Sequence, residues 1–153
     1  HWEGQPMYNY SAFIYAKDAV NIALTGQGTL DGQAGDGTPW CWMSRDYMTD
    51  YQDDDRTALI NMNNNRVPVE ERIFGQGHFL RPNFIQVIGC ENVLVEGITL
   101  VRSPMWEVNP VLCTNVTVRG IHISTKAANN DGIDPESSNV KPRGPGNHPA
   151  GGI

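Results

Sequence analysis

The chain repeats itself. Cys90–Leu100 (CENVLVEGITL) laid over Cys113–Ile123 (CTNVTVRGIHI) matches at six of eleven positions, and the offset is 23 residues. An earlier segment, Asn21–Leu30 (NIALTGQGTL), opens with the same Asn-apolar-x-apolar-x-Gly pattern, and Asn139-Val140 begins it again 24 residues after Asn115. Within each copy the valines (Val93 and Val95; Val116 and Val118) alternate with other residues, which is strand periodicity. A glycine then turns the chain into a second short apolar strand (Ile98 and Leu100; Ile121 and Ile123). A unit of about two dozen residues is too short for a βαβ crossover, which takes about 30. It suits one coil of a parallel β-helix, stacked on its neighbours. Neighbouring coils then lie roughly 4.8 Å apart, with valine over valine inside and Asn92 over Asn115 at a corner. Stacked Asn amides hydrogen-bond along such a column.

Between the copies, Pro39, Pro68, Pro82, Pro104 and Pro110 interrupt any long helix. The stretch Trp40–Arg66 has no repeat and reads as an excursion from the stack with one short helical turn. The thirteen residues 141–153 (KPRGPGNHPAGGI) carry three Pro and four Gly and have no strand period. The expected organisation is therefore a partial β-helix over 1–140 and an irregular tail over 141–153. The abrupt change from SSNV to KPRGPG looks like a shifted reading frame or an artificial junction.

Charge and composition remove other classes. Eleven Lys+Arg against seventeen Asp+Glu leave a net charge of -6, so no clustered basic surface for nucleic acid is expected. No run of 18 apolar residues exists, so no membrane helix is expected. The opening HWEGQPMYNY has no secretion-signal pattern. A start at His1 reads as a processed product or a piece of something longer. Three cysteines make no disulfide scaffold and no CxxC pair for zinc. Cys90 and Cys113 share the 23-residue offset, so two stacked buried thiols are expected. No metal or other cofactor is anticipated.

The residues that carry chemistry also carry a resemblance. GTLDGQ (28–33) followed by Trp40 and Trp42, then LRPNFIQVIGCENVLVEGITLVRSPMWEV (80–108), then NNDGIDPESS (129–138), stand in an order and spacing similar to glycoside hydrolase family 28. This is the polygalacturonase family, and bacterial exo-acting members look nearest. The resemblance spans about Trp2 to Val140. It implies an all-β fold, a right-handed single-stranded parallel β-helix (pectin lyase-like), here incomplete at both ends. It also implies hydrolysis of α-1,4-galacturonosyl linkages in pectin, with inversion and without metal. The family's Asn-Thr-Asp motif is matched by Asn129-Asn130-Asp131, with Asn in place of Thr, which makes Asp131 a catalytic carboxylate. Asp-Asp, Gly-His-Gly and Arg-Ile-Lys would follow downstream and are not matched. Asp53-Asp54-Asp55 and the His78 of GQGH precede Asp131 and do not replace them.

An inverting glycosidase needs two carboxyl groups roughly 6.5–9.5 Å apart, one to protonate the leaving oxygen and one to activate water. On a β-helix they come from neighbouring coils. Asp131 alone cannot serve as both acid and base, so this chain is expected to show little or no hydrolase activity. Asn129, Asn130, Asp134 and Trp106 are the candidate substrate-binding residues, Trp106 by stacking on a sugar face. The plain alternatives are a turn for Asp131 and Asp134, whose DG and DP pairs favour one, and ordinary packing for Trp106. Asp131 and Ile133 share strand parity, so they face the same way unless the chain bends there. Trp40 and Trp42 are expected to pack under the excursion. Arg102 and Lys126 either attract an acidic sugar or are solvated surface charge.

Two other readings keep the β-helix. One is a calcium-dependent pectin or pectate lyase, with Asp53–Asp55 as the cation ligands. The other is a non-catalytic glycan-binding solenoid. The partner expected in each case is an acidic plant polysaccharide, pectin or an oligogalacturonide. Uncapped coil ends also favour self-association. The resemblance, rather than any residue, implies secretion or a periplasmic location.

Overall fold

The computed structural model describes residues 1–35, 52–126 and 129–143, the last three of these through their backbone. In chain order the strands are β1 (Tyr8–Asn9), β2 (Ile14–Lys17), β3 (Val20–Thr25), β4 (Thr29–Asp31), β5 (Ile73–Phe74), β6 (Ile85–Ile88), β7 (Glu91–Glu96), β8 (Thr99–Val101), β9 (Val108–Val111), β10 (Thr114–Arg119), β11 (His122–Ser124) and β12 (Val140–Arg143). One α-helix, α1 (Asp53–Asn64), lies between β4 and β5.

The strands stack as a right-handed parallel β-helix. Three walls run along it. The first is β2-β6-β9, the second β3-β7-β10-β12 and the third β4-β8-β11. Every pairing between these strands is parallel, and the register is the one the repeat demands: Val93 pairs with Val116, and Leu100 with Ile123. The Asn21 copy joins the same stack, since Ile22 pairs with Val93 and Leu30 with Leu100.

Alternation sorts each strand. Val93, Val95, Val116 and Val118 point inward and are buried with Ile85, Val108, Leu100 and Ile121 in one continuous core. The corner before the second wall explains the repeated Asn. Asn21, Asn92 and Asn115 have φ of 59°, 56° and 55°, a left-handed conformation that Asn tolerates better than most residues. Their amides form the expected ladder: Asn115 Nδ2 donates to Asn92 Oδ1 at 2.7 Å, and Asn92 Nδ2 to Asn21 Oδ1 at 2.9 Å. The Gly97 turn is equally constrained. Its φ is 78°, and a Cβ there would lie 2.3 Å from the Gly26 carbonyl oxygen of the coil before.

Cys90 and Cys113 are free, buried and stacked, with the Cys90 N–H donating to Cys113 Sγ at 3.3 Å. Burial pushes the Cys113 thiol's pKa up.

Two expectations change. The excursion holds a twelve-residue α-helix in place of a single turn. Asp53, Asp54 and Asp55 fall in its first turn and complement the helix dipole. Leu59, with Ala58 and Met62, anchors it against a second apolar cluster made with Trp2, Phe74, Leu80 and Met105. Residues 141–143, expected in the irregular tail, are strand instead. Lys141–Arg143 continue β12, pairing with Thr117–Arg119 of β10. The proline in this segment sits on an edge strand of its sheet, where a missing N–H is tolerated. Trp40, Trp42 and residues 144–153 lie outside the described residues.

Candidate active site

The first wall is unlike the others. Its strands β6 and β9 are buried at every position, on both faces. Ile85 and Val108 face the core, while Gln86 and Asn109 point the other way. Those two amides are covered rather than solvated. Asn109 is 0 % exposed, and its Oδ1 accepts from Asn83 Nδ2 at 2.8 Å and Gln86 Nε2 at 2.7 Å. Its Nδ2 donates to the Asp134 carbonyl at 2.8 Å and to Glu136 Oε1 at 3.2 Å. The N-terminal segment closes over this face. Gln86 Nε2 also donates to the His1 carbonyl at 3.1 Å, and His1 Nδ1 lies 3.8 Å from Glu136 Oε2.

The wall continues past β9 through two isolated parallel bridges, Val108 to Ile133 and Val111 to Glu136. The step from β6 to β9 is 23 residues, Ile85 to Val108. The next step, Val108 to Ile133, is 25. Asn129, on the connection to Ile133, has φ 56°. Ile133 packs on the core, and Asp131 is half-buried. Gly132 lets the turn close, because a Cβ there would press on Ile123 Cδ1 at 3.1 Å.

The structure thus places Asp131 one rung beyond Trp106, half-buried on the first wall. The Glu107 N–H donates to the Asp131 carbonyl at 3.1 Å. Asp134 follows on the same face, with its N–H bonded to the Val108 carbonyl at 2.9 Å. Burial raises the Asp134 carboxyl's pKa, and the charges of Asp131 and Glu136 raise it further. Asn129 is exposed, at the start of the turn. Asn130 turns inward: its Nδ2 donates to the Ser103 carbonyl at 2.8 Å and approaches the Met105 carbonyl and Glu107 Oε1, each at 3.4 Å. Trp106 is half-buried against the second cluster, beside Met105 and Leu80. Asp131 and Asp134 feel each other's charge, Asn130 is committed to the protein, Trp106 packs on the second cluster and Asn129 is exposed.

The remaining sequence candidates are elsewhere. Arg102 forms a bidentate ion pair with Asp31 across the third wall. Lys126 is exposed. The Asp55 carboxylate takes His78 Nδ1 at 2.6 Å and the Phe79 N–H, so it is spent within the excursion. No grouping of three His, Cys, Asp or Glu side chains suited to a metal ion occurs among the described residues.

Glu107 is the residue the sequence reading missed. It is 0 % exposed, and its Oε1 accepts from Thr125 Oγ1 at 2.6 Å. Burial pushes its carboxyl's pKa up, and the charge of Asp131 adds to that. The signal was present: carrying the 23-residue offset back from Cys90 to Phe84 sets Glu107 over a core phenylalanine.

The family model for glycosyl hydrolases family 28 matches residues 75–141. A Vitis vinifera protein described as a probable polygalacturonase is 26 % identical over 131 residues, which is 84 % of this chain and 20 % of that protein. Among solved structures, the hyperthermoactive exopolygalacturonase of Thermotoga maritima superposes with a TM-score of 0.84 at 42 % identity. That match covers 93 % of this chain and 35 % of the enzyme. The polygalacturonase of Erwinia carotovora shares the fold, with a TM-score of 0.56 at 23 % identity over 93 % of this chain and 35 % of its own. The chain thus spans about a third of these two solved enzymes and a fifth of the Vitis protein.

Proposed function

We propose, from the premise that the chain is a polygalacturonase-like sequence of glycosyl hydrolases family 28, that it forms part of a pectin-hydrolysing glycosidase. Its substrate is an α-1,4-linked galacturonan and its reaction is hydrolysis with inversion. Asp131 acts as the general acid or base. The observation that carries this reading is the placement of the Asn129–Asp131 turn. The backbone of this turn lies one rung beyond Trp106, and the Asp131 charge acts on Asp134, which supports the reading.

In this reading Asp131 moves one proton: it gives one to the leaving glycosidic oxygen or takes one from the attacking water. The second carboxyl must stand roughly 6.5–9.5 Å away to leave room for that water. It comes from residues outside those described, as do the cations that hold the substrate's carboxylates. Trp106 contributes an apolar edge to a sugar ring, and Asn129 a polar one. Asp134 lies beside Asp131 on the substrate's path. Asn130 shapes the turn instead of touching sugar. The partly regular coil stack over 1–140 serves as the platform, and the protein works outside the cell. No helix among the described residues is long and apolar enough to cross a membrane.

The calcium-lyase reading loses ground to the position of Asp55, whose carboxylate is taken by His78 and Phe79. The deciding experiment is calorimetric titration with trigalacturonate, alongside reducing-sugar release from polygalacturonate. Binding is expected, with little or no release by the 153 residues alone and none after Asp131→Asn. No binding would refute the glycan reading. Chelator-sensitive ultraviolet absorbance from an unsaturated product would favour the lyase, and release that Asp131→Asn leaves intact would remove Asp131 from the mechanism.

A further inference from the structure

A column of side chains runs along the coil stack just before the first wall. Phe13 and Phe84 stack in it, with ring centroids 5.3 Å apart and planes 12° from parallel. The next rung holds Glu107, and the one after holds Gly132. A carboxyl group therefore stands where the column otherwise carries an aromatic ring. It is fully buried and touches no solvent, so it cannot reach a substrate.

Its hydrogen bonds show what it does. Oε1 accepts from Thr125 Oγ1 at 2.6 Å, on the strand side of the turn. The same oxygen receives Asn130 Nδ2 at 3.4 Å, on the Asp131 side. The glutamate's own N–H holds the Asp131 carbonyl at 3.1 Å. Oε2 is buried and has no partner among the described residues, and neither has Asn130 Oδ1. Turning the Asn130 amide over does not help. Its Nδ2 is fixed by the carbonyls of Ser103 and Met105, two groups that only accept. Two acceptors are thus stranded in residues already in contact. An ionised carboxylate adds only more acceptors, whereas a protonated one supplies a donor.

We infer that Glu107 is the positioning residue of this site. Its neutral, buried carboxyl joins Thr125 to Asn130, offers its proton to Asn130 Oδ1, and so holds the Asn129–Asp131 turn in one conformation. The inference rests on the reading that this turn carries the catalytic carboxylate. The surroundings agree, since burial disfavours the charged form, as does the neighbouring charge of Asp131, with Asp134 beyond it. The nearby cation, Lys126, is exposed and next to Thr125 in sequence.

The test is a carbon-detected NMR titration of the Asp131 carboxyl in the 153-residue chain. Glu107→Gln keeps an acceptor at one position and a donor at the other, so the Asp131 midpoint and the Asn130 side-chain signals should stay in place. Glu107→Leu fills the column but cuts the link, so both sets of signals should move and broaden. Asn130→Ala cuts the same link from the other end and should move the Asp131 midpoint likewise. The double variant should be no worse than either single one. If Glu107→Leu fails to fold, Asn130→Ala carries the test. A shifted midpoint supports the inference, and an unchanged one overturns it. The inference also fails if Glu107→Gln lowers the Asp131 midpoint, the signature of removing a like charge. Trigalacturonate titration of the wild-type chain is read separately. Absent binding would sink the glycan reading and leave the NMR result standing.

Discussion

The first and second walls are built on the same coil from neighbouring segments, yet they solve different problems. The second wall is repetition: Val93 on Val116, Asn92 on Asn115, and Glu96 paired with Arg119 at 2.8 Å on the outside. The inward valines and the corner asparagines repeat from rung to rung, and the outer face carries an exposed ion pair. The first wall abandons copying. Its outward row runs Tyr15, Gln86, Asn109, with Asp134 next, four different side chains whose inner members are covered by the N-terminal segment. Buried amides must then find partners among unlike neighbours, which they do through Asn83, Gln86, Asn109 and Glu136. Repetition gives stability cheaply. A site requires departures from it, and each departure must be satisfied locally.

Breaking the first wall should cost most. Asn109→Leu strands the Asn83 and Gln86 donors and the Asp134 carbonyl in a buried setting, at about 1–3 kcal/mol per group. A total loss of about 3–5 kcal/mol in chemical denaturation is expected. In the second wall, Val116→Ala removes two methyl groups from a packed core and should cost about 2 kcal/mol. If the two costs reverse, the contrast between the walls is wrong.

A pH series sharpens it further. Folding raises the Glu107 pKa above its ordinary 4.5, so the folded state binds that proton more tightly. The associated stability is fully present below about pH 4.5. It drains away as pH rises through the raised value, at no more than about 1.4 kcal/mol per pH unit. Asp134 acts in the same direction. Glu107→Gln should flatten most of that slope in thermal melts at stepped pH, and an unchanged slope would place the titration elsewhere. An effect comparable to that of Val116→Ala belongs to the Asn corner. Asn92→Val forces a β-branched residue into φ 56° and cuts the ladder, for a loss of about 1–3 kcal/mol, while Asn92→Gly should cost less. Equal losses would mean that the ladder, rather than the backbone conformation, sets the residue.

The same contrast explains what could be read in advance. Repetition is visible in one sequence, so the second and third walls were legible down to the pairing of Val93 with Val116 and of Cys90 with Cys113. Asp131 is proposed from its motif. The 25-residue step from Val108 to Ile133 was not legible, because no periodicity reveals where a coil lengthens. Helix α1 was hidden because its apolar face is short, with Ala58, Leu59 and Met62 meeting residues as distant as Trp2 and Met105. Glu107 was overlooked because a charged residue reads as surface, and only its rung shows it to be core.

The place of Asp131 depends on coils held in register, and engineered cysteines measure this directly. Glu96 and Arg119 are paired partners on β7 and β10, so Glu96→Cys with Arg119→Cys places two Cα atoms at about the 4.8 Å strand spacing, within disulfide range. Glu96→Cys with Thr117→Cys is two residues out, at roughly 8 Å. Peptide mapping after mild oxidation should find the first bridge and not the second. The second bridge forming in preference to the first would contradict the stack.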